Sequence, residues 1–436
     1  MKLYGDKSTN TYSIDMIGNL PCPGADVKHI FDSSTWVSSF YDETKEFFYN
    51  YEIKNFERSI ETWDKKKLLN FEILGSCKID WLGKELLDIF LQKAKAEGEG
   101  ALQKTRNPVS QCTNLVFQII RPRIGKSIAF LPFTETKHEL VLRALCIFVG
   151  LVAQMNYNMS LAGTQSLYHL NININNIIWD EKKYLFRLYD FALSGPSFNY
   201  MKYYIYYNYI EKTMNGPNIL IPGENYDIWL FRSPELNELY NVYLYIAQLI
   251  KQENPENVYA MFFQSKLEEY INGFQTTFRE KMTYIYASHF KQHINDKVSQ
   301  MNIFPNIKNI KEFIDHIKNA VYHYRAGSNS IDTIINQLKF DKYIDMAKQD
   351  SWGVASSLSY LIRNNQNLYG SPIGQQLLFI MSEHVLNHPD PTNRKNLNEL
   401  YDIIKEDAII KKLIALPDRG KDMYENLSKL VLRPKN

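Results

Sequence analysis

The chain has 436 residues, of which 45% are hydrophobic, 22% charged and 14% aromatic, and its formal charge is +2. These values fit a globular protein with a core of its own and exclude extended disorder. No basic block or Lys/Arg-rich arm is present, so nothing electrostatic points to nucleic acid as the main partner.

The four cysteines, Cys22, Cys77, Cys112 and Cys146, are scattered and form no C-x-x-C pair. That pattern argues against a zinc site or a disulfide framework and for reduced intracellular thiols. The opening MKLYGDKSTN lacks the apolar run of a signal peptide, and a cytoplasmic location is expected.

In chain order, the first thirty or so residues alternate polar and apolar, punctuated by Gly5, Gly18, Pro21, Pro23 and Gly24, as short strands and turns do. Residues 41–63 place Phe47, Tyr51 and Phe56 at near-helical spacing behind an acid-rich first turn, which predicts a helix. Residues 93–108 are polar and glycine-bearing, a loop; NLVFQII at 114–120 suits a buried strand.

The most apolar stretch, LVLRALCIFVGLVA at 140–153, is too short to span a bilayer and carries Arg143, so a core helix is expected over 138–155. Next comes the asparagine-rich HLNININNIIW at 169–179. Ile177–Trp179 and Tyr184–Tyr189, joined by the turn at 180–183, form a hairpin pattern. From 237 to 345 the pattern is helical, with Ile310, Phe313, Ile314, Ile317 and Val321 on one face. Further helices are expected near 352–363, 374–386 and 397–404. Strands first and helices later indicate an α+β protein.

The asparagine-rich stretch is open to two readings. It is either a turn-forming loop, or a catalytic loop in which the residue performing the chemistry has been exchanged. The surrounding order bears on the choice. His169, Leu170, Asn171 and Asn176 are followed by the hairpin, then Asp190-Phe191-Ala192, then Ser233-Pro234-Glu235. Later come Asp350, Ser351, Trp352 and Gly353, and HPDPTNR ending in Arg394.

In this order the residues resemble the protein kinase superfamily, whose landmarks are H-R-D-x-x-x-x-N, D-F-G and A-P-E. The likeness runs through most of the chain from about residue 114 and is similar in style to divergent kinases of large DNA viruses. It implies a bilobal fold with a small β-rich N-lobe over residues 1–122. A large helical C-lobe would follow in two parts, 123–236 and 346–436, separated by a long helical insert at 237–345. That insert is read as a subdomain packed on the C-lobe or as a docking surface.

The resemblance also assigns roles. Asn176 and Asp190 would be the Mg²⁺ ligands, and Mg²⁺ prefers such oxygen donors. Asn171 stands where the family has the aspartate that handles the substrate proton, and an amide cannot accept a proton at neutral pH. Asn173 stands where the family usually has a phosphate-neutralising lysine. Gly5 would belong to a degenerate phosphate loop, Lys28 would be the strand lysine contacting phosphates, and Glu52 or Glu46 its helix partner. Glu52 is preferred because Ile53 and Phe56 would then face the core. Asp350 would accept backbone N–H groups of the catalytic loop, and Glu235 would pair with Arg394. Ala192 replaces a glycine, so this segment would switch less freely.

The implied cofactors are ATP and Mg²⁺. Losing a positioned acid/base group costs about 10²–10⁴ in rate. The expectation is therefore a pseudokinase that binds ATP–Mg²⁺ and regulates or scaffolds a protein partner, without nucleic acid or a membrane span, in the cytoplasm or, for a viral protein, in host cytoplasm or virion. Two alternatives stay open: an active divergent Ser/Thr kinase acting on a protein substrate, and a structural or virion-associated protein of the same fold without a nucleotide site.

Overall fold

Strand β1 (Lys2–Asp6) turns back on β2 (Thr11–Asp15), with Gly5 opposite Tyr12 and Asp6 opposite Thr11. β2 pairs with β3 (Trp36–Asp42), and β3 pairs along its length with β5 (Leu115–Pro122). β4 (Gly75–Lys78) takes the far edge of β5, so the antiparallel sheet has the order β1-β2-β3-β5-β4. A short helix, α1, lies between β3 and β4 in sequence, with residues 52–57 helical. The computed structural model describes residues 2–6, 11–15, 36–42, 49–50, 52–57, 68–70, 73–78, 115–122, 124–129, 138–161, 167–191, 194–195, 231, 233, 346–388 and 393–414. Lys28, Glu46, Ala192, Glu235, the loop at 93–108 and the insert at 237–345 lie outside them.

The chain divides into two units. The first comprises Met1–Phe130 and Asn175–Ser194, the second Leu131–Ile174 and Gly195–Asn436. Besides the five-stranded sheet, the first unit holds a smaller sheet, β6 (Gly125–Ser127), β7 (Ile177–Asp180) and β8 (Leu185–Leu188). β7 and β8 form the expected hairpin. Asp180 closes its turn by accepting from the N–H groups of Lys182 and Lys183 at 3.1 Å, and pairs with the buried Arg187 at 3.0 Å. Trp179 packs on Phe186 with centroids 4.7 Å apart. Leu188 N–H donates to Leu69 C=O at 2.9 Å, tying the hairpin to the segment before β4.

The second unit is helical where it is described. Helix α2 (His138–Leu161) is buried on every side from Val141 to Asn156, as suits an all-round apolar segment packed inside a protein core. It is longer than the apolar stretch alone suggested. Over His138–Asn156 it is long and apolar enough to cross a membrane by composition, yet 83% of that window is buried within the protein. α3 (Met346–Arg363) turns Trp352, Val354, Ala355, Leu358, Leu361 and Ile362 inward.

The following helices start where the sequence supplies caps. Asn365 caps α4 (Gln366–Tyr369), and Ser371 with Pro372 opens α5 (Pro372–Met381). Asn396 and Glu399 form a reciprocal capping box for α6 (Leu397–Glu406), with bonds of 2.9 and 3.0 Å. α7 (Ala408–Ile414) follows. The helix expected at 374–386 is α-helical only to Met381 and continues as a π turn, Ser382–Leu386.

Three expectations need correction. Residues 41 and 42 belong to β3 rather than to a helix, because ladder pairing with β5 outweighs local spacing. In α1 the fully buried residues are Glu52 and Asn55, while Ile53 and Phe56 are half-buried, since the polar pair finds buried partners described below. Cys77 is disulfide-bonded, although Cys146 is free and buried. Scatter along a sequence does not report distance in space, and that is why the all-reduced expectation fails there.

Gly353 of α3 sits against the asparagine loop. A Cβ added there would lie 2.8 Å from the Ile172 carbonyl oxygen and 2.9 Å from Ile172 Cβ. Alanine gains up to ~1 kcal/mol of helix propensity. Overpacking against backbone costs about 1–3 kcal/mol. Gly353→Ala is therefore expected to lower stability in urea denaturation, and an unchanged or raised midpoint would refute this close packing.

Candidate functional site

The asparagine loop leaves α2 and runs under α3. His169 N–H donates to Asp350 Oδ2 and Leu170 N–H to Asp350 Oδ1, each at 2.8 Å. In the amide orientation its surroundings require, Asn156 of α2 donates to Asp350 Oδ2 at 3.1 Å and to the Leu167 carbonyl at 2.9 Å. One carboxylate thus gathers two consecutive loop N–H groups and one core amide. Leu170 pays with a left-handed backbone, φ 61°, an uncommon state for a residue with a Cβ.

Asn171 and Asn173 follow, each 1% exposed. Asn173 Nδ2 donates to Asn171 O at 3.0 Å and to Asn171 Oδ1 at 3.2 Å. The side-chain oxygen of Asn171 is therefore already a hydrogen-bond acceptor, held by its neighbour. An amide oxygen accepts hydrogen bonds but does not take a proton at neutral pH. His169 is fully buried.

In the first unit, Asn176 and Asp190 sit at the two ends of the β7–β8 hairpin. Tyr189 N–H donates to the Asn176 carbonyl at 2.9 Å, which draws the ends together. Both side chains are buried to 2% exposure. Asp190 also adopts a left-handed backbone, φ 64°. Such outliers persist only where surrounding contacts over-determine them.

Those contacts are present. Glu52 of α1 pairs with Arg121 of β5, both buried. The Glu52 carboxylate also accepts the Phe191 N–H. Arg121 stacks over the Tyr189 ring, with Cζ 4.9 Å from the centroid. Asn55 donates to the Phe191 and Ser194 carbonyls at 3.3 and 2.5 Å. Burial pushes the Glu52 carboxyl up, while Arg121 and the Phe191 N–H pull it back. The cation that meets Glu52 among the described residues is thus Arg121.

Of the residues singled out from sequence, Gly5, Glu52, Asn176 and Asp190 fall in the first unit, and Asn171 and Asn173 in the second with Asp350. Gly5 lies within the β1–β2 ladder, not in the turn. Arg394 is buried over the Trp352 ring at 4.6 Å and donates through Nε to the His388 carbonyl at 3.1 Å. Sequence reasoning missed Arg121, Asn55 and Tyr189. The one available signal was a charged residue ending the apolar run LVFQIIRP.

Asn176 and Asp190 offer an amide oxygen and a carboxylate, hard donors that fit Mg²⁺, which takes one or two carboxylates and fills its remaining positions with phosphate oxygens and water. No protein-family model matches the chain, and no curated protein sequence matches it.

Burial pushes the Asp350 carboxyl up to about 6, against the pull of the His169 and Leu170 N–H groups and of Asn156. The folded protein keeps this proton up to about pH 6, whereas the unfolded chain releases it near 3.8. The contribution is fully present below the lower value and is lost as pH rises through the upper one. The stability difference between wild type and Asp350→Asn should therefore fall from pH 5 to pH 7, by about 1 kcal/mol. Chemical denaturation at both values checks it; a difference that grows with pH would refute it.

Proposed function

We propose that the chain is a protein-kinase-like nucleotide-binding protein, a pseudokinase that binds ATP–Mg²⁺ and acts through a protein partner. The observation that carries this reading is the disposition of Asn171. It lies in a loop whose backbone is held by Asp350, its amide is engaged by Asn173, and in the sequence resemblance it stands where the family has an aspartate.

Other features support the reading. The antiparallel order β1-β2-β3-β5-β4 with a helix between β3 and β4, followed by a hairpin ending in Asp190, suits a small strand-built lobe. A buried helix leading into a loop anchored on α3 suits a helical one. Asn176 and Asp190 would hold Mg²⁺, which when bound supplies charge neutralisation for the nucleotide phosphates. Asn171 would orient a hydroxyl, and Asn173 brings no positive charge to the phosphates.

A second reading, a slow but active Ser/Thr kinase, is favoured by the retention of Asn176 and Asp190. In it the metal does most of the work, and Asn171 only positions the acceptor hydroxyl.

Thermal shift and phosphotransfer separate these readings. ATP with Mg²⁺ should raise the melting temperature, and Asp190→Ala should remove the Mg²⁺-dependent part. Radiolabelled transfer should be at background in wild type, and Asn171→Asp should raise it at least about tenfold, a fraction of the 10²–10⁴ that a positioned acid/base group supplies. Robust wild-type transfer abolished by Asp190→Ala would establish the active kinase. No thermal shift at millimolar nucleotide would refute nucleotide binding altogether.

A further inference from the structure

We propose that the buried Glu52–Arg121 pair is the device that positions Asp190, by gripping the residue on each side of it. This rests on the nucleotide–Mg²⁺ reading above and deepens it by naming which residues set the metal ligand's orientation.

The geometry is specific. Arg121 at the end of β5 lies over the Tyr189 ring, immediately before Asp190. Glu52 on α1 takes the Phe191 N–H, immediately after it. Arg121 and Glu52 then bond to each other, closing a loop of contacts around one residue. Asn55, one turn along α1, holds the Phe191 and Ser194 carbonyls and extends the grip. The residue enclosed is the one with φ 64°.

A left-handed backbone at a residue with a Cβ costs energy and persists where surrounding contacts over-determine it, and these contacts hold both neighbours of Asp190. Arg121 lies near the end of β5, the strand that pairs along its length with β3. A guanidinium also does two things at once that an ammonium does less well: it meets a carboxylate edge-on and an aromatic ring face-on. The pair acts through Asp190 and is a positioning pair, not a catalytic one.

The 436-residue chain is titrated with ATP, once with Mg²⁺ and once with EDTA, so that the Mg²⁺-dependent gain in affinity is read separately from metal-free binding. The double variant Glu52→Gln/Arg121→Met leaves no unpaired buried charge. It should lose about tenfold or more of that gain, in line with the 10–100-fold effects of partners that orient metal ligands, a loss larger than any change in ATP affinity in EDTA. Arg121→Lys, which keeps the ion pair, should recover part of the loss.

Tyr189→Leu removes the platform under Arg121 and leaves the ion pair in place. It tests the same proposal should the double variant fail to fold, and should cost about threefold of the gain. A folded double variant, or Tyr189→Leu, with the wild-type gain overturns the positioning role alone. Wild type that binds no ATP in either condition overturns the nucleotide reading and this proposal with it.

Discussion

The Asp350 carboxylate accepts the N–H groups of His169 and Leu170, two successive residues of an asparagine-rich loop, deep in a helical core. A loop rich in short polar side chains has many ways to satisfy its backbone, and asparagine in particular tolerates turns and left-handed states. Two charge-assisted bonds of 2.8 Å to a single acceptor remove most of that freedom. The left-handed Leu170 follows from this anchoring, as do the burial of Asn171 and Asn173 and the close passage of Ile172 over Gly353. Without a buried acceptor on α3, the loop would lose the support that fixes its shape.

A comparable arrangement governs the first unit. A glutamate and an asparagine on one short helix, and an arginine on a strand, are costly to bury singly, and each is paired there. Their bonds converge on the backbone around Asp190 and hold it in a strained conformation. In both units, then, a buried carboxyl side chain from a regular element holds backbone N–H groups at or beside a left-handed residue in an irregular one. Rigid elements carry the support and loops carry the groups suited to chemistry. Asn171 offers an amide that does not take a proton at neutral pH, while Asn176 and Asp190 offer oxygen donors of the kind that suit a metal. That contrast is the physical basis for proposing binding over catalysis.

Much of the architecture was legible in the residues. The apolar run at 140–153 is buried on all sides, and NLVFQII lies in a strand whose Ile119 is fully buried. The hairpin at 177–189 forms around Asp180, as its turn chemistry implied. Asp350 accepts the loop N–H groups that the resemblance implied. What was not legible depended on long-range partners. Asp42 reads as the start of a helix by local composition, but it pairs across the sheet opposite Leu115. Ile53 and Phe56 read as the core face of α1, but Glu52 and Asn55 hold that place because Arg121, Phe191 and Ser194 await them. Cys77 carries no local sign of its disulfide.

By itself the sequence determined the periodic segments and the presence of an amide, not a carboxylate, at position 171, because these depend only on residue type and local spacing. Only the tertiary structure decided that Arg121 meets Glu52, that Tyr189 and Phe191 are gripped on either side of Asp190, and that residues 175–194 share a unit with the strands. The physical reason is that a buried charge is stable only beside its partner. Here that partner lies many residues away, joined through a sheet register that no local pattern encodes.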